Sequence, residues 1–273
     1  MAHKNFYDKS NLQKVRAKKF LGQHFLRDLA VAERIADAID STTISKWIEI
    51  GPGTGVLTQF LISKPIDVFA FEIDRESIAY LETHLKNELE SNFNIIHQDF
   101  LKVDLESLFP AEQLGIVGNF PYNISSQILF KTLENRNMVP EFVGMFQKEV
   151  AQRICASSGN KTYGILSVLT QAFYETEYLF TVPPNVFKPP PKVDSGVIRL
   201  KRRSDYHLDC DEKLFFKVVK TAFQQRRKTL RNSLKTFNLS DDLKLEPIFA
   251  KRPERLSYLE FVELTSKIEQ NAV

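Results

Sequence analysis

Residues 118–123 read Gly-Asn-Phe-Pro-Tyr-Asn and follow a short apolar run at 114–117. An Asn at a strand end is ordinary turn chemistry. The combination here is more specific: the Asn119 amide, the Phe120 carbonyl, a rigid Pro121 without an N–H, and the ring of Tyr122. The amide and the carbonyl can bond the edge of a flat polar ligand, and the ring can take its face. A second cluster lies upstream. In Glu-Ile-Gly-Pro-Gly-Thr-Gly at 49–55, Gly51 and Gly53 allow a tight turn and let the backbone approach a ligand with no Cβ in the way. Glu72, in Phe-Glu-Ile-Asp at 71–74, stands twenty-one residues after Gly51. A carboxylate there can accept hydrogen bonds from both hydroxyls of a ribose, so the pair reads as a nucleoside site.

These residues need a frame. Apolar runs at 47–50, 68–73, 94–97, 116–118 and 142–146 read as strands, with helices over 56–63, 77–89 and 125–133 between them. Such alternation predicts a parallel sheet covered on both faces, with its ligand at the carboxyl ends of the strands. Gly51, Glu72, Asp99 and Asn119 then close four successive strands at one edge. A helix is predicted over 164–172. Strands at 178–182 and 197–200 flank a loop, 182–196, in which Pro183, Pro184, Pro189, Pro190 and Pro191 favour a stiff extended path. The basic stretch 201–205 is the expected domain boundary. From residue 212 onward the pattern is helical: Phe215, Val218, Val219, Ala222 and Phe223 share one apolar face, with a basic run continuing the helix. The expected division is a basic arm at 1–27, an α/β domain at 28–203 and a small helical domain at 204–273.

The glycines at 51, 53 and 55 depart from the G-x-G-x-x-G spacing of dinucleotide sites. They resemble the loop of class I S-adenosyl-L-methionine-dependent methyltransferases. In that fold Asp99, in His-Gln-Asp-Phe at 97–100, accepts a bond from the cofactor's adenine amine; otherwise it caps the next helix. Residues 118–123 resemble the Asn/Asp-Pro-Pro-Tyr motifs of methyltransferases that act on exocyclic amines. Essentially the whole chain resembles the KsgA/RsmA family of ribosomal RNA adenine N6,N6-dimethyltransferases. The resemblance rests on KKFLGQHFL (18–26), EIGPGTGVLT (49–58), FEID (71–74), GNFPYNISSQILF (118–130), MFQKEVAQRI (145–154), VPPNVFKPPPKVDSGVIRL (182–200) and AFQQRRKTLRNSL (222–234). It implies an α/β, Rossmann-like class I methyltransferase with a small helical C-terminal domain. It also implies dimethylation of two adjacent adenosines near the 3′ end of 16S rRNA, in the 30S subunit, by a cytoplasmic monomer.

The resemblance further implies that the arm folds over S-adenosyl-L-methionine. His24 and Leu26 would touch the cofactor there, with Gly51, Gly53, Glu72, Asp99 and Asn119 completing its site. Asn119 and the Phe120 carbonyl would accept the target amine's hydrogens, Pro121 would stiffen the loop, and Tyr122 and Phe187 would enclose the base. Two residues depart from the family pattern: His24 stands where Asn is usual, and Phe120 where Leu is commoner.

Charge supports a polyanionic partner. A net +3 conceals +6 over residues 1–27 and +7 over 201–235, leaving −10 for the remainder. Lys18 and Lys19 in the arm, and Arg226, Arg227, Lys228 and Arg231 after the apolar helix face, are the expected phosphate contacts. Cys155 and Cys210 sit in no metal-ligand spacing, and no metal site is read. No leader or membrane span is legible in the sequence, which points to a cytoplasmic protein. Three rival readings stand beside this one: a resistance-type dimethyltransferase of large-subunit rRNA, a non-catalytic assembly factor of the same fold, and a nicotinamide oxidoreductase. The 51-53-55 spacing, with Val56 in place of a sixth-position glycine, counts against the last.

Overall fold

The computed structural model describes residues 15–85 and 92–271. Lys4, Lys9 and Lys14 of the arm, and the end of the helix expected over 77–89, lie outside them. The strands in chain order are β1 (Phe25–Leu26), β2 (Lys46–Ile50), β3 (Asp67–Glu72), β4 (Phe93–His97), β5 (Leu114–Asn119), β6 (Glu141–Gln147), β7 (Tyr174–Val182), β8 (Phe187–Lys188) and β9 (Ser195–Arg202). The helices are α1 (Leu29–Asp37), α2 (Thr58–Ile62), α3 (Arg75–His84), α4 (Leu105–Leu108), α5 (Ser125–Glu134), α6 (Lys148–Ile154), α7 (Ile165–Gln171), α8 (Glu212–Gln224), α9 (Leu230–Ser233), α10 (Asp241–Leu245) and α11 (Tyr258–Gln270). All the expected strands are present: β2, β4 and β6 are one or two residues longer than expected, β5, β7 and β9 three or four longer, and β3 is shifted by one. The helix expected over 56–63 shrinks to the five residues of α2, because Gly55 holds a positive φ of 76° just before it.

Seven strands form one sheet in the order β4-β3-β2-β5-β6-β9-β7. The five from β4 to β6 run parallel, and β9 joins β6 antiparallel. The central strands β2, β5 and β6 are buried almost throughout. A parallel sheet with both faces covered requires this, and it is why those segments read as unbroken apolar runs rather than alternating ones. β1 and β8 make a separate two-stranded ladder that pairs Phe25 with Lys188 and Leu26 with Phe187.

The chain divides into two compact units, Met1–Ala151 with Glu177–Lys201, and Gln152–Thr176 with Arg202–Val273. The single cut after residue 203 expected from the sequence is therefore not the division observed. Residues 152–176 group with the C-terminal helices because α7 packs on α8 and α11, and Phe173 stacks on Phe216 with ring centres 6.1 Å apart. The basic run does not continue α8, which stops at Gln224. Lys228 N–H closes a turn onto the Gln225 carbonyl (2.8 Å), and α9 starts only at Leu230.

One packing feature bears directly on the Asn119 loop. The Phe120 ring is buried (1% exposed) in a void left by two glycines. A Cβ on Gly144 would lie 2.0 Å from that ring, and one on Gly118 2.8 Å from it. Phe142 and Phe146 close the void, at ring-centre distances of 5.1 and 5.5 Å. Gly144→Ala is expected to destabilise the protein by about 1–3 kcal/mol through overpacking. Denaturant unfolding monitored by circular dichroism would check this.

Candidate active site

A cavity of about 270 Å3 opens at the carboxyl ends of β2, β3 and β5. Gly51, Gly53, Glu72, Asp99 and the stretch 119–124 line it, and residues 20–25 of the arm complete its wall. The residues expected to end four successive strands therefore meet at one site.

The loop after β2 is built on left-handed backbone, with φ of 68° at Gly51, 58° at Gly53 and 76° at Gly55. Only glycine adopts this region without strain. At Gly53 a Cβ would also come 2.9 Å from the Phe25 ring, so its absence lets the arm lie against the loop. Glu72 is buried and accepts from three backbone N–H groups: Gly53 (3.1 Å), Ile73 (2.8 Å) and Asp74 (2.9 Å). Burial nevertheless pushes its pKa above the usual carboxylate value. Asp99 lines the cavity and also caps a short 3-10 turn, accepting from Leu101 N–H at 3.0 Å. Of the two roles considered for it in the sequence, the cap is the one made within the chain.

Asn119 is the last residue of β5, and its Nδ2 donates to the His24 carbonyl at 3.0 Å. A carbonyl can only accept, so the amide nitrogen must face the arm and Oδ1 is left to bond elsewhere. The arm is held by several bonds. Lys18 Nζ lies 2.5 Å from Asp74 and 3.2 Å from Glu76, and Gln23 Nε2 donates to Asp74 at 3.2 Å. Burial alone would raise the pKa of Asp74; the bonds from Lys18 and Gln23 more than offset this and leave it lowered. His24 Nδ1 meets the Pro189 carbonyl at 2.8 Å; a carbonyl only accepts, so Nδ1 carries a proton and donates it. Tyr122 shares a hydrogen bond of 2.6 Å with Ser195 Oγ, and its ring centre is 5.5 Å from that of His24. The anchored hydroxyl fixes the direction of the Tyr122 ring axis at the cavity.

Several expected site residues lie elsewhere. Phe187 is buried (4% exposed) in the main apolar cluster and pairs with Leu26 in the β1–β8 ladder, so in this structure it packs the arm rather than lining the cavity. Leu26 lines a small adjoining cavity of about 20 Å3 beneath the glycine loop, not the main one. The Lys18 ammonium, expected on RNA phosphate, is paired with Asp74 and Glu76. In the second unit Arg226 Nη2 donates to the carbonyls of Asn160 (3.4 Å) and Lys161 (2.6 Å), and Arg231 Nε donates to that of Lys244 (3.0 Å). Lys19, Arg227 and Lys228 are exposed.

Glu49 was not singled out within its motif. It is 1% exposed, lines the small cavity with Gly51 and Asn119, and its Oε2 has no hydrogen-bond partner. A glutamate inside an otherwise apolar strand was the available signal. Burial, reinforced by the Glu72 charge, pushes its pKa up to about 8. Below the ordinary value of 4.5 the carboxyl is protonated whether folded or not and costs nothing. Above it the unfolded chain ionises first, so stability falls as pH rises from about 4.5 to about 8. Glu49→Gln, which mimics the protonated form, is expected to flatten that slope and to be the more stable protein at pH 8, by on the order of a few kcal/mol. Thermal midpoints measured between pH 5 and 8 would check this.

Among the described residues, no helix is long and apolar enough to cross a membrane. The profile of a family described as ribosomal RNA adenine dimethylase matches residues 14–260. A Flavobacterium johnsoniae protein named Ribosomal RNA small subunit methyltransferase A is 60% identical over 262 residues, covering 96% of this chain and 99% of its own length. A protein of the same name from Phocaeicola vulgatus is 54% identical, covering 93% and 90%. Among solved structures, a dimethyladenosine transferase from Plasmodium falciparum superposes with a TM-score of 0.78 at 25% identity, over 92% of this chain and 99% of that one. The 23S rRNA methyltransferase ErmE superposes with a TM-score of 0.68 at 26% identity, over 88% and 99%. With a nucleoside-sized cavity at its strand ends and a family match across nearly its whole length, the chain belongs to the ribosomal RNA adenine dimethylase family of S-adenosylmethionine-dependent methyltransferases.

Proposed function

We propose that this enzyme dimethylates, at N6, two adjacent adenosines near the 3′ end of 16S rRNA, acting on the 30S subunit late in its assembly as a cytoplasmic monomer. The orientation of the Asn119 amide carries the catalytic part of this reading. The choice of subunit is supported by relatives 60% and 54% identical that bear the small-subunit name, against 26% identity to the 23S enzyme.

The cavity fits the cofactor. Gly51 and Gly53 leave the backbone bare at the loop; in this reading Glu72, with one acceptor position left after its three backbone bonds, takes a ribose hydroxyl, and Asp99 an adenine amine. Glu49 offers an unpartnered carboxyl beneath the same loop, where a cationic amino-acid end would favour its ionised form. S-adenosylmethionine supplies a methyl group on a sulfonium, a strong electrophile. The protein must then make a poor nucleophile available. The lone pair of an adenine N6 amine is delocalised into the ring. Oδ1 of Asn119 and the backbone carbonyl of Phe120 accept its two hydrogens, which draws the nitrogen toward tetrahedral geometry and frees the lone pair. Tyr122, held by Ser195, stacks on the base, worth roughly 1–3 kcal/mol. Positioning then supplies much of the barrier reduction, and no strong base is needed.

The test is to incubate small subunits from cells lacking the modification with purified protein and radiolabelled S-adenosylmethionine, then to digest the RNA. Labelled N6,N6-dimethyladenosine near the 3′ end is expected, with at least a hundredfold loss of rate in Asn119→Ala. Label confined to large subunits would reject the small-subunit reading; cofactor binding without label on either would reject the catalytic one. Since Arg227 and Lys228 are exposed, replacing both with Ala should lower the slope of log affinity against log salt by roughly 1–2. Filter binding across a salt series would measure it.

A further inference from the structure

Phe20 has the most exposed ring among the large apolar side chains of the described residues, at 78%. A single exposed apolar residue needs no explanation, but this one is not placed at random. It lines the cavity, as does Ile73, another of the few large apolar side chains left exposed. It is also held in place. Residues 19–21 form a 3-10 turn closed by Leu21 N–H on the Lys18 carbonyl and by Gly22 N–H on the Lys19 carbonyl, both at 3.0 Å. The Lys18 and Gln23 side chains, on either side of that turn, are tied to Asp74. An ordered turn therefore carries Phe20 at the cavity, and its chain neighbour Lys19 is exposed.

We propose that Phe20 is the stacking platform for the unpaired RNA base next to the target adenine, with Lys19 taking the adjoining phosphate. This rests on the reading of the cavity as an RNA adenine site. A target base that leaves its stack to enter the cavity exposes the face of its neighbour. An exposed ring on an anchored turn, next in sequence to a lysine, matches that face and the backbone attached to it. The cofactor is the less suitable occupant: its groups are matched by buried or half-buried walls at Gly53, Glu72 and Asp99, whereas the Phe20 ring is turned mostly to solvent.

The test compares wild type, Phe20→Ala and Phe20→Trp on unmodified 30S subunits, with cofactor affinity measured by calorimetry. It repeats the kinetics on subunits reconstituted with 16S rRNA carrying one abasic nucleotide beside the target pair. Phe20→Ala should raise KM for the subunit about tenfold. It should leave the thermal midpoint unchanged and raise KM for the subunit several-fold more than it weakens cofactor affinity, and Phe20→Trp should restore KM. The abasic nucleotide should weaken wild type but add nothing in Phe20→Ala. An unchanged KM, a loss confined to cofactor affinity, or equal abasic sensitivity in both proteins would overturn the proposal. If wild type itself leaves no label on intact subunits, the underlying reading of the substrate fails instead.

Discussion

The hydrogen bond from Asn119 Nδ2 to the His24 carbonyl governs the site. It joins the end of β5 to a segment ninety-five residues earlier and decides which way the Asn119 amide faces. The carbonyl has to be in place before that decision can be made, so the arm cannot be a passive cover. Its position is fixed from three sides: Lys18 and Gln23 bond Asp74, His24 bonds the Pro189 carbonyl, and Phe25 and Leu26 pair with β8. The burial of Phe187 serves this arrangement, because its strand is the partner that holds Leu26.

Two buried carboxyls near the loop show opposite treatment. Asp74 is buried, yet the bonds from Lys18 and Gln23 leave its pKa lowered and its charge satisfied. Glu49 is buried with an oxygen unpartnered, and its pKa is driven up. The first is a fastener for the arm and is complete within the chain. The second is left with one oxygen, Oε2, that has no hydrogen-bond partner among the described residues. An unpaired buried acid is destabilising, and a site that binds a cation is a place where such a cost is offset.

Much of this was legible in the sequence. The strands announced themselves because a doubly covered sheet needs continuous apolar runs, and Gly51, Glu72, Asp99 and Asn119 each close one of them. What stayed hidden depended on distant partners. Lys18 reads as a phosphate contact until Asp74 and Glu76 are seen beside it. Arg226 and Arg231 read the same way until the carbonyls of Lys161 and Lys244 are found at their guanidinium groups. The pattern over 164–172 predicts a helix, not that α8 and α11 are what it packs against. The basic run after Gln224 keeps a helical composition, yet a turn breaks it.

The departure at Phe120 follows from what the loop contributes. Backbone groups take part in the hydrogen bonds around the cavity: the Gly53 N–H held by Glu72, and the His24 carbonyl that orients Asn119. Side chains at such positions act by placing the main chain. The Phe120 ring does this by filling the space that Gly118 and Gly144 leave open against Phe142 and Phe146. A larger residue than the usual leucine is acceptable there because those glycines supply the volume. The constraint therefore falls on residues 118, 120 and 144 together rather than on residue 120 alone, and the Phe120 carbonyl keeps its place only while that packing holds.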